Sequence, residues 1–332
     1  MFRARSVATL SLVAASALLL AGCAGSSEPD ATAAAATDDD YYPVTVTDMA
    51  GNEVTIESAD AVGITDNRFF GIAEAWDLPV VVAPRVLMSE NNSLKTDEEI
   101  LDTGSHGEPD LEQFVAADPD LIINGYRYGG DTSEAVQEVA PDAAFVSMDA
   151  AEELTADEYV VQSVTLMGEV FNKQDEATAL IEEFETAIDE ASAAYDPSET
   201  VMGLITSGGE INYSNPTDGR GASIFFELVG LTPALDTSGS SDHTGDSVSL
   251  EALAEANADY FLVLDRDAAV SEEGEEATPA LELINSSAAL STVPAVENQA
   301  IYVMPADYYL TEDVFAYITV LNGLTETFSA AS

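Results

Sequence analysis

Residues 41–58, YYPVTVTDMAGNEVTIES, alternate apolar and polar positions on either side of Ala50-Gly51-Asn52, the period-2 pattern of a β-hairpin. Beyond it, short apolar runs alternate with stretches of helical periodicity. VVVAP, DLIING, AAFVSM, VMGLIT, YFLVLD and AIYVMP read as strands, several of them apolar on both faces as buried parallel strands are. This alternation defines an α/β chain with strands enough for two sheets. The longest helical pattern lies between the two sets. In KQDEATALIEEFETAIDEASAAY, Ala177, Leu180, Ile181, Phe184, Ile188 and Ala191 recur at helical spacing, one apolar stripe over roughly 33 Å if all of it is helical. Asp196-Pro197 ends it. The pattern predicts two α/β lobes, 41–172 and 196–332, joined by a single stiff helix at 173–195, with a ligand cleft between them.

The first 40 residues do not follow this pattern. MFRARSVATLSLVAASALLLAGCAGSS has a basic start, an apolar run of signal-peptide length, and small residues before a cysteine. The run is short for a membrane-spanning helix. Leu20-Ala21-Gly22-Cys23 resembles the bacterial lipobox, which implies a signal peptide at 1–22 and lipidation of Cys23. An ordinary cleaved signal with an incidental cysteine is the alternative. Residues 23–40 hold few large apolar side chains and read as a flexible tether, leaving the folded body outside the cell on a membrane anchor. Cys23 is the only cysteine, so no intrachain disulfide can form.

Composition narrows the partners. The chain has 332 residues, 46% of them hydrophobic, which suffices for real cores. It carries 9 Lys plus Arg against 62 Asp plus Glu, a formal charge of −53. Losing Arg3 and Arg5 with the leader makes it more negative still. Nucleic acid is excluded as a partner, since binding it needs clustered cations. A surface so acidic, with Lys95 and Lys173 its only lysines, suits high salt, where screening shortens to roughly 3 Å at 1 M.

Against that background the few arginines stand out. LEQFVAADPDLIINGYR from Leu111 and LEALAEANADYFLVLDR from Leu250 align without a gap, with Leu111/Leu250, Glu112/Glu251, Ala117/Ala256, Asp120/Asp259 and Arg127/Arg266 identical. Each copy reads as a helix, a turn, an apolar strand and an arginine at the strand's carboxyl end, so duplicated lobes facing each other are expected. Ligands of open α/β sheets bind beyond those carboxyl ends, which brings Arg127 and Arg266 to one cleft from opposite sides. Arg220, in the Gly-rich turn INYSNPTDGRGAS after VMGLIT, reads as a third carboxyl-end arginine. Three guanidinium groups in a cleft call for an anionic ligand. Neutralisation of local acidic patches is the alternative. His243 lies in a polar loop, and Tyr308 and Tyr309 follow the strand AIYVMP. Imidazole and phenolate both suit ferric iron with open positions, while an exposed loop histidine and packed tyrosines explain the same residues without metal. His106, before the first-lobe helix, reads as structural.

These residues carry a resemblance. The long connecting helix and GEPDLEQFVAADPDLII resemble the periplasmic-binding-protein type that delivers iron complexes to ABC importers. DGRGASIFFELVG, SSDHTGDSVSLE, DYFLVLDR and IYVMPADYYL look more specifically like the ferric-catecholate siderophore lipoproteins of the enterobactin and petrobactin group. The resemblance implies a monomeric solute-binding protein without a resident cofactor, docking on a permease and binding its ligand without chemistry. Carried over by position, Arg127, Arg220 and Arg266 surround a negative iron complex, and His243 with Tyr309 completes the coordination of iron held by a tetradentate catecholate, Tyr308 being the alternate. Two departures bear on the iron ligands: Thr244 separates His243 from Gly245, and Tyr308-Tyr309-Leu310 stands where the group has Trp-Tyr-Leu. The group docks through one acidic residue per lobe, which implies Glu112 and Glu251, although the helix dipole favours an acid in a first turn in any case. A hydroxamate siderophore, haem or a corrinoid is the alternative ligand. An extracellular hydrolase is a remote alternative, with no Gly-x-Ser-x-Gly elbow to support it. Repulsion between the acidic surface and an anionic ligand predicts affinity or on-rate that rises with added salt.

Overall fold

The computed structural model describes residues 41–105, 107–270 and 278–331. The leader at 1–22, Cys23, the tether to residue 40 and His106 lie outside the described residues. The hairpin pairs β1 (Val44–Thr47) with β2 (Glu53–Ile56), and Asp48 closes its turn by accepting the Asn52 backbone N–H at 2.7 Å.

The first sheet is parallel throughout, in the order β5-β4-β3-β6-β7. It contains β3 (Val62–Ile64), β4 (Val80–Ala83), β5 (Leu101–Asp102), β6 (Leu121–Asn124) and β7 (Ala144–Ser147). Every residue of β3 and β6 is buried, as continuous apolar runs in a doubly covered sheet require. The connecting helices are α1 (Phe70–Ala75), α2 (Glu112–Ala117), α3 (Asp131–Val139) and α4 (Ala156–Val170), the last begun by a capping box between Thr155 and Glu158. The helix predicted over 173–195 is α5 (Gln174–Ala194), its stripe of Ala177, Leu180, Phe184 and Ala191 buried.

The second sheet has the order β11-β10-β8-β9, from β8 (Val201–Ser207), β9 (Glu210–Ser214), β10 (Tyr260–Asp265) and β11 (Ile301–Val303). β9 is antiparallel to β8 and departs from the sequence expectation, which read INYS as loop. Gly208 and Gly209, at φ +61° and +75°, close this hairpin in a conformation that L side chains rarely adopt. Its helices are α6 (Ser223–Val229), α7 (Leu250–Ala256), α8 (Arg266–Val270), α9 (Ala280–Ser286), α10 (Pro294–Glu297), α11 (Tyr308–Thr311) and α12 (Val314–Ala331). α12 packs along α5, and its Phe328 meets the rings of Tyr195 and Tyr260 at 5.0 and 4.9 Å. One apolar core therefore runs from Val62 and Ile123 in the first sheet through Phe184 in α5 to Leu262 and Phe328 in the second lobe. The two halves share a core and are more than beads on a stiff rod.

Candidate functional site

Arg127 sits in the single 3-10 turn Tyr126–Tyr128 directly after β6, and Asn124, the strand's last residue, pins that turn by donating to the Tyr128 carbonyl at 3.2 Å. Gly125 is required where strand becomes turn, because a Cβ there would lie 2.0 Å from an Asp66 oxygen. The Arg127 Nε donates to Asn67 Oδ1 at 2.8 Å. Two guanidinium groups approach the ring of Tyr126, Arg127 at 4.7 Å and Arg68 at 4.3 Å from its centroid. Arg68, which sequence reasoning left unplaced, also stacks on Tyr159 and is paired with buried Asp66 at 2.6 Å.

On the second lobe the remaining candidates form one cluster. Asp265 caps α8 by accepting the Ala268 N–H at 3.1 Å, which fixes where Arg266 leaves β10. Arg266 Nε donates to the Tyr309 hydroxyl at 3.3 Å and Nη1 to Ser207 at 3.2 Å. Arg220 Nη1 donates to His243 Nδ1 at 3.0 Å, and Nη2 donates to the Tyr309 carbonyl at 3.1 Å and to Glu312 at 2.8 Å. The Tyr309 hydroxyl lies 3.3 Å from the same His243 nitrogen, and the ring of Tyr309 stacks against both guanidinium groups. A guanidinium can only donate, so His243 Nδ1 is bare and the imidazole proton rests on Nε2. Partial burial and the neighbouring Arg220 lower the imidazole's pKa from its ordinary value, so the neutral ring persists into mild acid.

A cavity of about 550 Å³ opens between these two groups, lined by Arg68, Tyr126, Arg127, Arg220, His243 and Glu312 among others. Burial pushes the Glu312 carboxyl up and Arg220 pulls it back down, and burial with Glu312 nearby takes Tyr126 up to about 12. Two other cavities open along the same seam, each about 460 Å³. One has Glu74, Asp307 and Asp313 and no arginine or lysine in its wall, and the other has only the paired Arg68, so neither suits an anion.

Arg220, Arg266, His243 and Tyr309 are thus brought into mutual contact, with Arg127 across the cavity. Arg266 and Tyr309 stand behind its wall, which makes the two related arginines less symmetric than their sequence repeat suggested. The position of Arg220 also has a different origin from the one expected. β9 intervenes, and Arg220 follows an antiparallel strand in a loop tied down by the Ser214 hydroxyl, which donates to the Arg220 carbonyl at 2.9 Å. Tyr308, the alternate ligand, is 1% exposed and donates its hydroxyl to the Gly221 carbonyl at 3.2 Å, so that hydroxyl is committed to the core. Glu112 and Glu251 are exposed in the first turns of α2 and α7, away from this cluster's hydrogen bonds. Among the described residues no group of three or more His, Cys, Asp or Glu could hold a metal ion. Missed from sequence were Arg68, Asn67 and Glu312. Arg68 and Asn67 follow the carboxyl end of β3, the same signal that singled out Arg127.

Arginines set about one cavity between two α/β halves are the arrangement of a solute-binding protein. The chain belongs to the periplasmic binding protein family, whose profile matches residues 62–308, a family of binding proteins and not of enzymes. It is 28% identical over 236 residues to the petrobactin-binding protein YclQ of Bacillus subtilis, covering 70% of this chain and 69% of YclQ. It is 24% identical over 318 residues to the ferric-anguibactin-binding protein FatB of Vibrio anguillarum, covering 94% of each. Its fold matches the crystal structure of the catecholate-siderophore binding protein VctP from Vibrio cholerae with a TM-score of 0.70 at 20% identity, covering 85% of this chain and 99% of that one.

Proposed function

We propose that the protein captures a ferric siderophore of catecholate type and presents it to the permease of an ABC importer, from the outer face of a membrane to which a lipid on Cys23 holds it. The observation that carries this reading is that Arg220 and His243 face Arg127 across one cavity, with Arg266 and Tyr309 in hydrogen-bond contact with them from behind its wall. Guanidinium groups favour a hard, negatively charged complex over a neutral one. His243, once its Nδ1 leaves Arg220 or its proton shifts from Nε2, and Tyr309 as phenolate would offer a nitrogen and an oxygen to iron whose coordination a tetradentate catecholate leaves open. The names of the relatives, petrobactin-binding and ferric-anguibactin-binding, point to the same class of ligand. Glu112 and Glu251, one exposed on each lobe, are the proposed contacts with the permease. Bound ligand is released to that permease and is not transformed.

The test is equilibrium dialysis of the purified protein against iron-labelled ligands. Saturable binding of a ferric bis- or tris-catecholate, with weaker retention of ferrioxamine B and haemin, is the expected result. Preference for the hydroxamate or haemin contradicts the catecholate reading, and retention of none of them contradicts the class.

A further inference from the structure

Not every arginine in the cleft is free to meet an anion. Arg68 is held by Asp66, with Nη2 to Oδ2 at 2.6 Å and Nε to Oδ1 at 3.0 Å, and Arg220 is held by Glu312 at 2.8 Å. Arg127 and Arg266 have no carboxylate partner among the described residues, and their hydrogen bonds go to Asn67, Tyr309 and Ser207. Four guanidinium groups, three on the cavity wall and Arg266 behind it against Tyr309, set against two carboxylates leave at most two net positive charges, and exposed Asp218 at the wall only lowers that total. The two carboxylates differ in role. Asp66 is fully buried and caps the turn carrying Asn67 and Arg68, a structural task. Glu312 lines the cavity, keeps 17% of its side chain exposed, and occupies the Nη2 of Arg220 that an incoming anion would seek. It stands there because it ends α11, at φ 42°, immediately after the turn that carries Tyr309. Among the described residues the buried Arg220 Nε has no hydrogen-bond partner, so the guanidinium's orientation answers to Glu312, His243 and the Tyr309 carbonyl and not to full satisfaction of its donors.

We propose that Glu312 is a charge selector, a fixed carboxylate that favours siderophore complexes of low negative charge over the ferric tris-catecholate trianion. This rests on the ferric-catecholate reading above. A ferric bis-catecholate is a monoanion, and with Tyr309 bound as phenolate the assembly is a dianion, which matches what the cleft can neutralise. The trianion exceeds it, and Glu312 adds direct repulsion at short range.

One hexadentate tris-catecholate ligand loaded with Fe(III) or with Ti(IV) gives two complexes of nearly the same shape, a trianion and a dianion. Their affinities are measured by fluorescence quenching on the wild-type protein, Glu312→Gln and Glu312→Asp. The ratio of Fe(III) to Ti(IV) affinity rises on the order of fivefold in Glu312→Gln, for charges about 8 Å apart at an effective dielectric constant of about 40, and stays at the wild-type value in Glu312→Asp. A ratio unchanged or lowered in Glu312→Gln, with both affinities falling together, overturns the selector and makes Glu312 a mere support for Arg220. Should Glu312→Gln fail to fold, Glu312→Ala carries the same comparison. If the wild-type protein binds neither complex and takes a hydroxamate, the ligand reading fails and the selector with it; if it binds both and the ratio ignores position 312, only the selector falls.

Discussion

Removing the side chain of Asn67 tests how the cleft is held together. Asn67 is 2% exposed, and its amide is used in full: Nδ2 donates to the carbonyls of Leu310 and Thr311 at 2.7 and 3.0 Å, and Oδ1 accepts from Arg127 Nε at 2.8 Å. One side chain thereby joins the first-lobe arginine to the backbone beside Tyr309, across 243 residues of sequence. Two neutral hydrogen bonds at about 1 kcal/mol each and one to a charged group at about 2 kcal/mol sum to about 4 kcal/mol, and water entering the gap recovers part of it. Asn67→Ala should therefore cost about 3 kcal/mol, a large share of the roughly 5–15 kcal/mol of a typical fold. Asn67→Asp keeps the acceptor for Arg127 but sets a carboxylate against two carbonyl oxygens, so it should destabilise at least as much as alanine. Urea unfolding followed by circular dichroism gives both values from the midpoint shift at constant slope. A loss below about 0.5 kcal/mol in Asn67→Ala, the range of an ordinary surface change, would refute the strut. So would an aspartate variant as stable as the wild type.

Other expectations follow from the same contacts. Phe328→Ala removes a ring that is 1% exposed between Tyr195 and Tyr260 and should cost about 3–5 kcal/mol in the same unfolding assay; a loss under about 1 kcal/mol would mean α12 is not part of the core. Burial raises the Asp313 carboxyl to about 6 from 3.8, so the folded protein holds this proton more tightly than the unfolded chain, and stability falls as pH rises through that window. Asp313→Asn keeps an oxygen for the Ala316 N–H, and its stability relative to wild type should grow by about 1–2 kcal/mol between about pH 5 and pH 8; a constant gap contradicts this. Because the His243 pKa is lowered, its imidazole stays neutral and able to bind metal below the ordinary value of 6.5. The affinity advantage of wild type over His243→Ala for a tetradentate ferric catecholate should hold to that pH and decline only further into acid, and an early decline would show the ring is protonated sooner.

Much of the fold could be read from the chain because its strands announce themselves. DLIING, VMGLIT and YFLVLD are apolar on both faces, and residues 121–124, 201–207 and 260–265 are buried throughout. The helix stripe from Ala177 to Ala191 was equally plain. β9 was hidden because EINYS is short, half-exposed and set off by two glycines, which reads as loop until β8 offers it an edge. The repeat located Arg127 and Arg266, since each follows a strand end by three residues or fewer. It could not show that Arg266 lies behind Tyr309, because that depends on how α11 packs over β10. Glu312, and the linking role of Asn67, were out of reach for the same reason: each depends on a partner more than 90 residues away in sequence, Arg220 for one and Leu310 for the other.

The central claim is that the arginine cleft binds a ferric catecholate, and the dissociation constant of a ferric bis-catecholate for the wild-type protein and for Arg127→Ala and Arg220→Ala tests it most directly. Saturable one-to-one binding is expected, weakened at least about tenfold by each substitution, as loss of a charge-assisted contact of about 1.5–3 kcal/mol requires. Binding that both variants retain at full strength, or no saturable binding by the wild-type protein, would contradict the account.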